Sequence, residues 1–161
     1  MNNALNPENM KKIKAKINSS QQTVLFLDYD GTLSHFCKDP DNAVPVPGIE
    51  NILKKLVEQK KFKICIISGR RLKDLKSKID ISKIYYAGLH GLEMKNYQAK
   101  NLNRKDIVNY KKIIEKKFAA ELRNNIIRIE DKKYVISIHF KTEFNKINSL
   151  KSVLESKINK E

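Results

Sequence analysis

Leu25-Phe26-Leu27-Asp28-Tyr29-Asp30-Gly31-Thr32-Leu33 sets two carboxylates one residue apart where an apolar run stops. Residues 24 to 27 read as a strand buried on both faces, which favours a parallel sheet. A turn at Gly31 leaves Asp28 and Asp30 at the strand's C-terminal tip, where open α/β sheets bind their ligands. A bare Asp-Xaa-Asp equally describes an ordinary hydrogen-bonded Asp-Gly turn. The full Asp-Xaa-Asp-Gly-Thr after an apolar strand is far more specific.

Outward from this stretch, residues 1–22 form a polar lead with one helix carrying Met10, Ile13 and Ile17 on one face. The loop from 34 to 47 is rich in proline and small residues and is expected to be irregular. Its His35, Asp39 and Asp41 suit either a site entrance or a solvated loop. Pro47 and Gly48 open a helix whose Ile49, Ile52, Leu53, Leu56 and Val57 make one apolar face. A second strand at 62–67 ends in Ser68-Gly69-Arg70. Leu72, Leu75 and Ile79 then predict a helix, and 84–87 a third strand. Three strands alternating with two helices make a doubly wound α/β unit with right-handed crossovers.

Gly88-Leu89-His90-Gly91-Leu92-Glu93 follows the third strand. Beyond Met94 the pattern predicts a long helix over 107–122, then a hairpin. Glu130, Asp131, Lys132 and Lys133 supply its turn. Its second strand alternates Tyr134, Ile136, Ile138 and Phe140 with Val135, Ser137 and His139, one face apolar and the other more polar. A last helix carries Ile147, Leu150, Leu154 and Ile158 on one face. The division expected is a lead at 1–22, a core at 23–98 and a further α+β segment at 99–161.

At 161 residues the chain has room for one domain with a real core and a small insert. Its 40% apolar and 32% charged content excludes a disordered chain. Lys11, Lys12, Lys14 and Lys16 precede no apolar run of signal-peptide length, and no run approaches membrane-spanning length, so a cytoplasmic protein without a membrane partner is expected. Cys37 and Cys65 are isolated, without metal-ligand spacing, and are expected to stay reduced. The net charge of +15 raises the question of nucleic acid. Lysines dominate the basic residues, spread evenly without interleaved aromatics, and Arg70, Arg71, Arg104, Arg123 and Arg128 are the only arginines, so no nucleic-acid partner is expected. A general attraction for small anions remains.

The Asp28 to Thr32 stretch resembles the first motif of the haloacid dehalogenase superfamily of phosphotransferases. Ser68-Gly69-Arg70, one βα unit later, is similar to its second motif; by itself the tripeptide is an ordinary helix N-cap. Gly88 to Glu93 narrows the resemblance to the trehalose-6-phosphate phosphatase family, which shows a Gly-Xaa-His-Gly-Xaa-Glu element here. The runs 25–47 and 129–141 resemble the same family, the latter the first hairpin of its cap.

The resemblance implies a haloacid-dehalogenase-like doubly wound parallel sheet, with an incomplete three-stranded core and a partial α+β cap. It implies hydrolysis of trehalose 6-phosphate to trehalose and phosphate. Asp28 would be the nucleophile, through an aspartyl-phosphate, because a carboxylate is already ionised at neutral pH. Asp30 would move the proton. Magnesium would take a carboxylate oxygen of Asp28 and the backbone carbonyl of Asp30. Gly31 and Thr32 would line the phosphate with backbone N–H groups, Gly31 permitting the turn. Ser68 and Gly69 would form a second wall of the phosphate site, and Arg70 would either pair with phosphate or hold the loop. His90 and Glu93 would face the cleft between core and cap and bind the sugar, where a glycine-rich turn with a solvated His is the plainer alternative. His139 is given no role.

The resemblance covers roughly 23 to 141, the front two thirds of a family member. A Lys after the cap and a Gly-Asp-Asp on a fourth core strand have no counterpart, and no aspartate follows Asp131. The expectation is therefore a truncated, impaired phosphatase with a weakened magnesium shell, in need of a complementing C-terminal chain. The alternative is an inactive remnant or interaction module that pairs with a partner through the open edge of its first strand.

Overall fold

From β1 (Thr23–Asp28), Leu25 and Leu27 pack into the core while Val24 and Phe26 lie on the opposite face, 50% and 68% exposed. A strand covered on both faces was the expectation, and the topology explains the difference. β1 pairs in parallel with β2 (Phe62–Ile67), which pairs in parallel with β3 (Tyr85–Gly88). The order β1-β2-β3 runs in one direction, so two right-handed crossovers deposit both connecting helices on one face. Those helices, α2 (Ile49–Glu58) and α3 (Leu72–Lys78), bury Leu53 and Leu75 against Ile64, Ile66 and Tyr86. β1 is the edge of this sheet.

The computed structural model describes residues 6–37, 39–95, 97, 98, 103–140 and 155. The chain divides into two compact units, Met1–Ala99 and Lys100–Glu161. In the first, α1 (Pro7–Ser19) forms as its apolar spacing predicts, capped by Asn6 and started by a proline, but it buries none of its residues. Between β1 and α2 the loop makes one short 3₁₀ turn at Pro40–Asn42. The three parallel strands are extended by two short antiparallel ones, β4 (Glu93–Met94) and β5 (Tyr97–Gln98), which the sequence reading did not anticipate.

The second unit holds α4 (Arg104–Lys117), α5 (Ala119–Arg123) and an antiparallel hairpin of β6 (Ile127–Asp131) and β7 (Ile136–Phe140). A single helix over 107–122 was expected. The chain instead breaks at Phe118, which leaves helical geometry (φ −114, ψ 28) with its side chain buried. Glu130 and Asp131 belong to β6, so the turn is carried by 132–135, with Lys133 in the left-handed region. Tyr134 falls in that turn, and β7 is half-buried along its whole length instead of alternating. The last helix, over 147–158, lies outside the described residues apart from Glu155, which is helical. Among the described residues no helix is long and apolar enough to cross a membrane.

Candidate phosphate site

The register pairs Asp28 with Ile67, and Ile67 with Ala87, so three parallel strands end side by side. Asp28 is level with Ile67 and Ala87, and Ser68 and Gly88 follow one residue beyond them at the C-terminal edge of the sheet. Asp28 is exposed, and among the described residues its side chain makes no hydrogen bond or ion pair. After it the chain folds around one carbonyl: Tyr29 O accepts the N–H groups of Thr32 at 3.3 Å and of Leu33 and Ser34 at 3.0 Å, and the Ser34 hydroxyl at 3.1 Å. The Gly31 N–H donates to Ser34 O at 3.0 Å, so the Gly31 and Thr32 N–H groups expected to line the phosphate are instead used to close the turn. Gly31 sits at φ +86, the left-handed conformation this turn requires, and Thr32 is exposed beside it. Tyr29 is fully buried beneath the turn, its hydroxyl donating to Ala43 O, and burial raises its pKa.

Arg70 is 6% exposed and organises the other side. Its Nε donates to Asp30 Oδ2 at 2.9 Å and its Nη2 to Asp30 Oδ1 at 2.7 Å, a two-pronged grip on one carboxylate. Nη2 also donates to Pro40 O at 2.6 Å, and Nη1 to Asp74 Oδ2 at 3.0 Å. The guanidinium lies 5.4 Å from the centre of the Tyr29 ring. The bonds to Asp30 raise the arginine's pKa above its already high value; burial opposes them, and Asp74 adds to them. Four of the five N–H donors are engaged within the protein. Of the two roles open to Arg70, this arrangement favours holding the loop.

Ser68 is buried, and its Oγ accepts the Arg70 N–H at 3.1 Å, leaving the hydroxyl proton to donate. The second motif and the glycine-rich element are stitched together by backbone: Ser68 N to Ala87 O at 3.0 Å, His90 N to Ser68 O at 2.9 Å, Leu89 N to Arg70 O at 2.7 Å. Leu89 and His90 both adopt positive φ, 48 and 55, ahead of Gly91 at 102. The turn presses the exposed His90 ring onto Gly69, where a Cβ would come within 2.8 Å of Nε2. Glu93 accepts the Leu72 N–H at 2.8 Å.

Asp30, Arg70, Ser68, Gly69 and His90 are thus linked directly, Asp28 stands at the adjacent strand tip, and Glu93 is tied to α3. Asp74 and the Pro40 carbonyl escaped the sequence reading. Asp74 carried a usable signal, since it lies four residues after Arg70 at the start of a helix. The carbonyl carried none. Among the described residues no three His, Cys, Asp or Glu side chains converge to hold a metal ion. The oxygen donors at hand, the Asp28 carboxylate and the Asp30 carbonyl, still suit a hard cation that keeps waters and binds substrate phosphate.

The trehalose-phosphatase family model matches residues 26–159. The chain is 31% identical over 128 residues to a trehalose-phosphate phosphatase of Mycobacterium leprae, covering 76% of this chain and 29% of that protein. It is 32% identical over 147 residues to the probable trehalose-phosphate phosphatase E of Arabidopsis thaliana, covering 81% and 40%. The fold is that of the C-terminal domain of a Candida albicans trehalose-6-phosphate phosphatase, with a TM-score of 0.74 at 22% identity over 94% of this chain and 54% of that one. The chain spans well under half the length of these two curated relatives. With a family match that runs from the first strand into the second unit, this chain belongs to the trehalose-phosphatase family.

Proposed function

We propose that the chain carries the nucleophile half of a phosphatase that hydrolyses trehalose 6-phosphate to trehalose and inorganic phosphate. The observation that carries this reading is the unpartnered Asp28 carboxylate at the tip of β1, beside an Asp30 gripped by Arg70. An Asp28 oxygen attacks phosphorus, forming an acyl phosphate as the bond from phosphorus to the sugar oxygen breaks. Asp30 gives that oxygen a proton, then takes one from the water that attacks phosphorus, releasing phosphate and restoring Asp28. The Arg70 bonds use one lone pair on each Asp30 oxygen, so a second remains on each for the proton. The Ser68 hydroxyl and Gly69 flank the transferred phosphoryl group, Gly31 and Thr32 shape the turn beside it, and His90, exposed on Gly69, meets the sugar.

Magnesium would be held by the Asp28 carboxylate and the Asp30 backbone carbonyl, and would offset the charge of the phosphate dianion. Residues 23–98 are read as the core and 99–161 as part of the cap. The compartment is read as the cytoplasm.

The test is phosphate release from trehalose 6-phosphate with magnesium, by this chain and by Asp28→Asn. Asp28 is exposed and unpartnered, so the variant should fold with stability within about 0.5 kcal/mol of the parent. Its turnover should fall about a thousandfold or more. Equal turnover by the two proteins, or no release from the folded parent, overturns the reading.

A further inference from the structure

Glu93 sits at the start of β4 with its side chain only 15% exposed. Its Oε2 accepts the N–H of Leu72, the first residue of α3, and its Oε1 lies 3.9 Å from Arg71 Nε. The residue in the N-cap position of that helix, Arg71, provides no capping side chain. A carboxylate from 21 positions along the chain fills the place instead, and a charged acceptor on a helix-starting N–H is among the stronger single caps.

Backbone packing in the same place is unusually close. A Cβ at Gly88 would fall 2.4 Å from Leu72 N, 2.8 Å from its Cα and 3.0 Å from Arg70 O, all main-chain atoms that cannot swing aside. With the bonds from Leu89 N to Arg70 O and from His90 N to Ser68 O, this fixes the first turn of α3 against residues 88–93. Two residues beyond Leu72, Asp74 holds Arg70 Nη1, and Arg70 holds both oxygens of Asp30. The contacts run unbroken from Glu93 through Leu72, Asp74 and Arg70 to Asp30.

We propose that Glu93 is a positioning residue: it anchors the first turn of α3, and through Asp74 and Arg70 it holds the carboxylate of Asp30, instead of binding the sugar. The inference rests on the phosphatase reading for its catalytic consequence, but its structural core is independent of turnover. Asp74 shares the role, since it is the link between the helix and the guanidinium.

The first readout is amide exchange at Leu72, measured by NMR in the full chain, in Glu93→Gln and in Glu93→Ala. The Leu72 N–H should exchange about tenfold faster or more in the Ala variant. In the Gln variant, whose amide oxygen still accepts, the change should be smaller. Unchanged Leu72 exchange in Glu93→Ala overturns the proposal; if that variant does not fold, unchanged exchange in Glu93→Leu, whose side chain fills the space but cannot accept, does so. The second readout compares trehalose 6-phosphate with p-nitrophenyl phosphate, which has no sugar. Glu93→Ala and Asp74→Asn should each lower kcat by similar factors on both substrates with KM within about twofold, and Glu93→Gln should recover most of the loss. A raised KM confined to the sugar phosphate would make Glu93 a sugar ligand and sink the idea. Should the parent chain release no phosphate from either substrate, the phosphatase reading fails while the exchange experiment still decides the anchoring.

Discussion

Asp131 accepts from both terminal nitrogens of Arg104, at 2.6 and 2.7 Å, and from the Lys133 N–H at 3.0 Å, with Lys111 Nζ 3.9 Å away. The arginine bonds, chiefly, hold its carboxyl well below the usual carboxylate range, at about 2. Arg104 also donates to Lys133 O, so this single side chain ties the start of α4 to the hairpin turn. A folded-state pKa below the unfolded one means that the ionised form stabilises the native state. That contribution is fully present above about pH 4, the unfolded value, and is lost as pH falls toward 2. A carboxyl-carbon NMR titration should therefore find the Asp131 midpoint near 2. Acid unfolding of the second unit between about pH 4 and 2 should be blunted in Asp131→Asn, which has nothing to lose there. An Asp131 midpoint in the ordinary carboxylate range would refute the assignment. The pair joins residues 27 positions apart, so no local pattern announced it.

The edge strand is where packing departs most from expectation. Along β1 one set of side chains faces α2 and α3, while Val24 and Phe26, with Tyr85 across the sheet, stay exposed on the other face. Among the described strands β1 pairs on one side only, leaving a row of backbone groups open to a second chain. Phe26→Lys should reduce concentration-dependent association in sedimentation runs and leave the unfolding temperature nearly unchanged, because the phenyl ring buries little. Equal association by both proteins would show that this face is not adhesive. The apolar run at 24–27 was legible as a strand, but its burial was not, because burial depends on how many faces the crossovers cover. Helix α2 was readable from its 3.6-residue apolar period: Ile49, Leu53, Leu56 and Val57 pack inward, while Ile52, read as part of the same face, stays exposed. The break at Phe118 was not, since the apolar periodicity continues past it while the backbone there leaves helical geometry. At the site the strand-tip acids and the Ser-Gly-Arg turn were legible as motifs. The grip of Arg70 on Asp30 was not, because it depends on a loop carbonyl and a helix turn that only the fold brings together.

Across the whole chain, 33 basic residues face 18 acidic ones, a net charge of +15. Several acids are spent in exposed i, i+4 pairs with lysine, as at Glu8 with Lys12, Glu50 with Lys54 and Asp80 with Lys76, each worth a few tenths of a kcal/mol. Every such pair uses one lysine, so the surplus remains as like charge spread over the surface and repels itself. Salt weakens both effects, and their signs differ: losing the pairs destabilises, while screening the surplus stabilises. Going from 0.01 to 0.1 M salt shortens the screening length from about 30 to about 10 Å. That change removes long-range repulsion among many unpaired lysines but barely touches pairs in contact, such as Lys12 and Glu8 at 2.7 Å. The unfolding temperature should therefore rise over this range of sodium chloride. If the proposed activity is present, kcat/KM for the sugar phosphate should fall over the same range, because the field that crowds the native state also draws the anionic substrate to it. Thermal melts and initial rates on one salt series separate the two consequences. A melting temperature that falls with salt would mean that the ion pairs outweigh the repulsion, and a kcat/KM indifferent to salt would mean that the lysine surface does not guide substrate to Asp28.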